Sequence, residues 1–420
     1  MQADPTTDPR LRSWVPVPQG SDFPIQNLPF GVFLPGGGQP RVGVAIGEWV
    51  LDLAVLEEGG LLPSGLPQAT FATASLNPFM ALGRSAWREV RERLSGLLRE
   101  GSEQPLTRAA LVPCEEVELL LPIEVADYVD FYSSLEHATN MGKMLRPDSE
   151  PLLPNWRYLP VGYHGRSGTV VVSDTPVLRP RGQVKPQGQP PEFRPTRMLD
   201  VELEVGFIVG VGNALGRPIP LDQATDHVFG MVLVNDWSAR DIQSWEYVPL
   251  GPFLGKSFAT SISAWVVTLD ALRPYRVPPR VQEPPPLDYL DGGEDWAYDI
   301  HLELALGSES MGEVDVVSRT SSRNIYWTIA QQLAHLTANG ARVRPGDLCA
   351  SGTVSGSDPG SFGSLMELTW RGDRPLPLSD GSQRTFLEDG DTAVLRGWCE
   401  NDEVRIGFGE VRGQVVGARL

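Results

Sequence analysis

The sequence predicts a mainly β protein with a few helices, of the α+β class. Two observations carry that prediction. The 420 residues include 44 Gly and 38 Pro, many of them in short turns between Val-rich runs. Helical signals, by contrast, are few. A chain of this length suggests two domains, or one large domain with a small companion.

Taken in order, Val42-Gly-Val-Ala-Ile-Gly-Glu-Trp-Val-Leu-Asp52 reads as a hairpin of short strands. From Ser85 to Glu100, Trp87, Val90, Leu94, Leu97 and Leu98 recur at helical spacing. A polar connector from Gly101 to Thr107 follows. The region before about residue 120 therefore reads as a separate unit, which divides the chain into domains 1–120 and 121–420. Ser133-Ser-Leu-Glu136 has the form of a capping box that opens a short helix. Two Pro-rich stretches, 179–195 and 277–286, read as long ordered loops. A last helix is expected from Asn324, as N-cap, to Asn339, with Gly340 as its stop.

A formal net charge of −18 argues against sequence-independent binding to nucleic acid or to anionic membranes, both of which want basic surfaces. No run of about 18 apolar residues suggests a membrane span. Residues 1–10 show neither a basic nor an apolar leader segment. Three cysteines, at 114, 349 and 399, form no close pair, which fits a reducing compartment. The expectation is a soluble, cytoplasmic protein.

The chemistry is expected after residue 125. Asp130 lies in Asp127-Tyr-Val-Asp-Phe-Tyr132, Glu202 and Glu204 in Leu199-Asp-Val-Glu-Leu-Glu-Val205, and Asp236 in Leu233-Val-Asn-Asp-Trp-Ser238. In a strand, Glu202 and Glu204 share one side while Val201, Leu203 and Val205 fill the other. Neighbouring carboxylates repel unless a cation joins them, and a hard divalent ion bound by oxygen is the simplest partner. An ordinary solvated strand face would carry the same pair. The run from Met231 to Tyr247 reads as a strand followed by a helix, with Ser238 as a possible cap. Arg240, Gln243 and Tyr247 then share one helical face, a good oxygen-binding surface, although an ordinary polar surface helix would look alike. Lys256 stands without another charge in Gly251-Pro-Phe-Leu-Gly-Lys-Ser-Phe-Ala-Thr-Ser261. It reads either as a snorkelling lysine or as a fixed cation for an oxyanion, with Thr260 as an oxygen ligand or orienter. His137, in Glu136-His-Ala-Thr-Asn-Met-Gly142, is a candidate base. Glu367, flanked by apolar residues on an expected strand, could orient it.

Nearly end to end, the chain resembles the fumarylacetoacetate hydrolase family. The resemblance rests on Ser21-Asp-Phe-Pro-Ile-Gln-Asn-Leu-Pro-Phe-Gly-Val-Phe33 and on the segment from Asp127 to Asn140. It continues through Leu153-Pro-Asn-Trp156, Pro160-Val-Gly-Tyr-His-Gly-Arg166, Asn235-Asp-Trp-Ser-Ala-Arg-Asp-Ile-Gln243, Gly255-Lys-Ser-Phe-Ala-Thr-Ser261, Ser351-Gly-Thr-Val-Ser-Gly356 and Gly407-Phe-Gly409. It implies a small N-terminal SH3-like barrel, a large C-terminal mixed β-roll and a homodimer. It also implies that Asp130, Glu202, Glu204 and Asp236 bind a divalent metal, calcium (Ca2+) or magnesium (Mg2+). Asp236, Lys256 and Thr260 match a second, magnesium-associated site. His137 matches the catalytic base and Glu367 its orienting carboxylate. Arg240, Gln243 and Lys256 match the oxyanion-stabilising set. Tyr132, Arg146, Tyr163, Gln243, Tyr247 and Thr353 match contacts to a small diketo-acid substrate. The activity implied is hydrolysis of 4-fumarylacetoacetate, in tyrosine and phenylalanine breakdown.

Two departures from the family pattern stand out. Leu135 replaces a usual basic residue and Ala264 a common Pro, neither at a matched functional position. Acylpyruvate hydrolases, decarboxylases and sugar-acid dehydratases of the same superfamily are the nearest alternatives, but they usually lack the N-terminal domain and its Ser21–Asn27 signature. A non-catalytic metal-binding protein would be expected to have lost His137, Glu367, Arg240 or Lys256, and all four are present.

Overall fold

The computed structural model describes residues 4–292 and 297–419. Five strands form the N-terminal sheet: β1 (Phe30–Pro35), β2 (Arg41–Ile46), β3 (Trp49–Asp52), β4 (Leu111–Pro113) and β5 (Val117–Leu120). They pair antiparallel in the order β4-β3-β2-β1-β5, and the expected hairpin is β2–β3. Helix α1 (Arg84–Leu98) buries Trp87, Val90, Leu94, Leu97 and Leu98, the face its spacing predicted.

The central sheet is built from β6 (Tyr128–Phe131), β7 (Gly162–His164), β8 (Val170–Val172), β9 (Leu203–Val209), β10 (Val228–Asn235), β11 (Thr260–Ile262) and β14 (Leu348–Ala350), in the order β7-β6-β14-β9-β10-β11-β8. A second sheet holds β13 (Asp315–Ser321), β12 (His301–Gly307), β15 (Thr392–Glu400) and β16 (Arg405–Val416), and Val177–Leu178 extends it beyond β16. Between β6 and β7 lies α2 (Leu135–Leu145), after β10 lies α3 (Arg240–Glu246), and before and after β14 lie α4 (Ile329–Thr337) and α5 (Leu365–Leu368). The fold is thus mixed α+β, mostly strand, with a distinct N-terminal unit.

Strand alternation assigns the two faces of the central sheet to different partners. Met231 and Leu233 join the core shared with Leu302, Leu304, Leu395 and Val411 of the second sheet. Val232 and Val234 point the other way, to a core shared with Phe30, Phe79 and Trp87 of the N-terminal unit. Phe30 and Val266 also exchange backbone hydrogen bonds of 3.0 and 2.7 Å, which fastens the unit to the sheet. The pairing register puts Asp130 beside Ala350, Ala350 beside Gly206, Glu204 beside Val234 and Val234 beside Ile262. The same sheet face is therefore apolar under the N-terminal unit and turns acidic toward one end.

The structure departs from the local signals at several helix ends. The cap of α2 is Ser134, whose hydroxyl accepts from the His137 amide, not Ser133. The Ser133 hydroxyl is taken by Gln332, across the fold. Helix α4 starts later than expected: Thr328 and Gln331 form its capping box, while Asn324 ends a separate 3-10 turn. Ser238 does not cap α3; it lies in a short bridge to Leu199–Asp200, and its hydroxyl donates to the Asp236 carbonyl. Glu367, expected on a strand, lies in α5, because Ser364 caps that turn at the Glu367 amide. The stretch 179–195 is partly ordered by a hairpin, Arg181–Val184 against Glu192–Pro195, and the 101–107 connector runs into a short helix at Pro105.

Candidate functional site

Asp130 projects from β6, Glu204 from β9, and Asp236 from the residue just past β10. Oxygens of these three buried carboxylates lie within 4.8 Å of one another. Glu202, one turn of the pleat before Glu204, is directed to two cations instead. Arg240 Nη2 lies 2.7 Å from its Oε1, and Lys256 Nζ contacts its Oε2. Lys256 also reaches Asp236 Oδ2 at 2.8 Å, and Thr260 donates to Asp236 Oδ1 at 3.0 Å. Of the expected metal ligands, then, three converge and Glu202 adjoins them. A protonated lysine has no lone pair to offer a metal, so Lys256 serves the cluster as a counter-charge.

Burial decides the electrostatics here. Desolvation and the Asp236 carboxylate raise Asp130 well above the usual aspartate range. Desolvation and Asp130 do the same to Glu204. For Glu202, desolvation is outweighed by Lys256 and Arg240, which hold it well below the usual range. Burial opposes the Lys256 charge, but Asp236 and Glu202 more than compensate and keep it an ammonium. Asp130 Oδ1 and Glu204 Oε1 are buried with no hydrogen-bond partner among the described residues. Clustered carboxylates that keep orphaned oxygens suit a hard, oxygen-seeking cation, so these residues fit a calcium- or magnesium-type ion.

A cavity of about 540 Å³ opens beside the carboxylates. Tyr132, Arg146, Tyr163, Gln243, Tyr247 and Thr353 all line it, as do His137, Arg240 and Lys256. His137 Nδ1 lies 2.7 Å from Glu367 Oε2. Glu367 also accepts from Asn140, Ser355 and Ser364, at 3.0, 2.9 and 2.9 Å. Those donors, with His137, overcome burial and hold the Glu367 carboxyl below its ordinary range. An ionised carboxylate accepts the Nδ1 proton, which leaves His137 Nε2 as the free acceptor. On the other wall, Arg240 Nη1 donates to Gln243 Oε1 at 3.2 Å, so the amide donors of Gln243 remain for another oxygen. Arg146 donates to the Pro151 carbonyl at 3.0 Å, and its buried Nε has no partner among the described residues.

Two contributors went unrecognised in the sequence. Asp200 accepts from Arg240 Nε at 2.7 Å and from the Leu365 and Met366 amides at 2.7 and 3.1 Å. It therefore ties Arg240 to the start of the helix that carries Glu367. Arg166 donates from one nitrogen to Asp130 Oδ2 at 2.7 Å and to Asp236 Oδ2 at 2.6 Å. Both residues lie within the motifs 199–205 and 160–166, and nothing in the spacing shows where their side chains end.

Two family models match the chain: "Fumarylacetoacetase N-terminal" over residues 26–122 and "Fumarylacetoacetate (FAA) hydrolase C-terminal" over residues 127–416. The chain is 50% identical over 416 residues to fumarylacetoacetase of Rattus norvegicus, covering 97% of this chain and 99% of that protein. It is 49% identical over 418 residues to the Homo sapiens enzyme, with coverage of 97% and 99%. The Arabidopsis thaliana enzyme is 48% identical over 417 residues, with coverage of 97% and 98%. Among solved structures, fumarylacetoacetate hydrolase from Exiguobacterium antarcticum matches with a TM-score of 0.54 at 18% identity, covering 93% of this chain and all of that one. Maleylpyruvate hydrolase from Sphingobium matches with 0.50 at 17% identity, again over 93% of this chain and 100% of that one. These two structures share the fold.

The lowered Glu367 carboxyl has a stability consequence with a definite sign. A carboxyl held below its unfolded value stabilises the fold above that value, near 4.5, and loses the contribution as pH falls through the lowered one. The urea midpoint of the wild type should therefore decline more steeply below about pH 4.5 than that of Glu367→Gln. Parallel declines would show that the charge of Glu367 is not stabilising.

Proposed function

The chain belongs to the fumarylacetoacetase family, and from that premise we infer that it is a hydrolase that splits the carbon–carbon bond of 4-fumarylacetoacetate into fumarate and acetoacetate, the last step of tyrosine and phenylalanine breakdown. Identity of about half over nearly the full length of characterised relatives carries the inference. The convergence of a His–Glu pair, a carboxylate cluster and a set of fixed cations around one cavity supports it.

We propose the following division of labour. Glu367 holds the His137 imidazole with Nε2 toward the cavity, where it takes a proton from water; general bases of this kind contribute about 100- to 10,000-fold. The water oxygen bonds to the fumaryl carbonyl carbon. Lys256 and the amide of Gln243, itself fixed by Arg240, stabilise the negative charge that develops on the carbonyl oxygen. One such donor is typically worth roughly 3 kcal/mol. The carbon–carbon bond breaks, its electron pair leaves with acetoacetate, and a proton completes that product. Asp130, Glu204 and Asp236, with Glu202 alongside, would hold a calcium or magnesium ion, which supplies positive charge for the diketone oxygens. Arg146 and the tyrosines Tyr132, Tyr163 and Tyr247 hold the substrate's terminal carboxylates, and Thr353 contributes a further polar contact.

We also infer a cytoplasmic homodimer whose main contact lies in the C-terminal domain. No helix among the described residues is long and apolar enough to cross a membrane. Phe193, Trp245, Val248, Leu250 and Phe253 are exposed apolar side chains of the C-terminal domain, Leu250 and Phe253 by 94% and 70%, of the kind a second copy would cover. Light scattering at micromolar concentration should return twice the 45.9 kDa chain mass; a monomer refutes the assembly.

Three further outcomes test the chemistry. Excess chelator should abolish turnover, and Glu202→Gln should weaken ion binding as well as rate; full activity in chelator with no metal by elemental analysis would remove the ion from the reaction. His137→Ala should lower kcat far more than it raises KM, and Glu367→Ala should lose much of the same effect. The double variant should be strongly non-additive, and losses that simply multiply would break the pairing. Arg146→Ala should cost about one to two powers of ten in kcat/KM, the equivalent of a charge-assisted hydrogen bond of roughly 1.5–3 kcal/mol. The loss should be small for a diketo acid lacking the matching carboxylate, and equal losses on both substrates would make Arg146 structural.

A further inference from the structure

We propose that Arg166 is a positioning residue of the metal site: braced against two tyrosine rings, its guanidinium ties Asp130 to Asp236 so that both carboxylates present to one divalent ion. The inference rests on the metal reading above.

Asp130 and Asp236 come from strands that are not neighbours. Between β6 and β10 lie β14 and β9. Nothing in the backbone ladder makes the two carboxylates converge, and as like charges they repel. Arg166 Nη2 bonds Oδ2 of both, at 2.7 and 2.6 Å. It is the only side-chain hydrogen-bond donor to Asp130 among the described residues, since Lys256 bonds Asp236 and Glu202. The Arg166 side chain is 6% exposed. Its guanidinium carbon lies 4.9 Å from the Tyr128 ring centre and 4.8 Å from that of Tyr163. A planar cation braced on aromatic faces is fixed in a way that an ammonium is not. Its backbone is left-handed, with φ 60° and ψ 21°, a conformation uncommon for a residue with a side chain. Asp130 Oδ1, on the carboxylate that Arg166 anchors, stays unpartnered.

The sign of one measurement separates this role from simple charge balance. If Arg166 only neutralised the cluster, removing its positive charge would tighten divalent-ion binding. If it positions the ligands, its removal weakens binding, by about 10- to 100-fold as for other groups that orient metal ligands. Metal-stripped wild type, Arg166→Gln and Arg166→Lys would be titrated calorimetrically with calcium chloride and with magnesium chloride. Circular dichroism would establish that each variant is folded. Weaker binding in both variants, with kcat of Arg166→Gln recovering as metal is added in excess, is the expected result. Arg166→Lys retains the charge and loses the planar brace, so it serves as the readout should the glutamine variant not fold. Unchanged or tighter affinity overturns the inference while leaving the metal site intact. Failure of wild type to take up either ion overturns the metal reading itself.

Discussion

Five carboxylates, Asp130, Asp200, Glu202, Glu204 and Asp236, are buried together against three buried cations, Arg166, Arg240 and Lys256. Each ion taken out of water costs several kcal/mol even after the protein relaxes, and only close, well-bonded partners offset that cost. Two negative charges remain in excess. Burial has pushed Asp130 and Glu204 toward their neutral forms, so these are the carboxylates with least compensation. A divalent cation between these carboxylates, each of which keeps one unpartnered oxygen, would remove the imbalance. Much of the surrounding architecture follows from the need to hold these charges in one small volume.

The sheet meets that need by dividing a single face. Val232 and Val234 lie under the N-terminal unit, and Asp236 continues the same side of the same strand. Tyr128 belongs to the apolar cluster and Asp130, two residues on, to the acidic one. The N-terminal unit thus covers the part of the face that must be dry and leaves the acidic end to the cavity. Asp200 links α3 to α5, because it bonds Arg240 on one side and the first turn of α5 on the other.

Where the structure departs from local pattern, the polar side chains have found other partners, one distant and the rest close by in the chain. Ser133 bonds Gln332, 199 residues away, which left Ser134 to cap α2. Ser238 is drawn into a bridge with Asp200, and Glu367 sits on a capped turn because Ser364 closes it. Each shift is one to a few residues and leaves the functional side chains in the same order along the chain.

Local pattern was enough for the strand-rich class, the buried face of α1, the same-side placement of Glu202 and Glu204, and the motifs that carry the family resemblance. All of these depend on residues within a turn or a pleat of one another, where the backbone period determines the geometry. The meeting of His137 with Glu367 across 230 residues, the turning of Glu202 toward Lys256 and Arg240, and the bridging of Asp130 and Asp236 by Arg166 depended on strand order instead. A pairing pattern that places β14 and β9 between β6 and β10 is a choice among long-range partners, made by the burial of whole sheet faces. Only the closed tertiary structure decides which oppositely charged groups end within hydrogen-bond reach, because that distance is set by elements far apart in the chain.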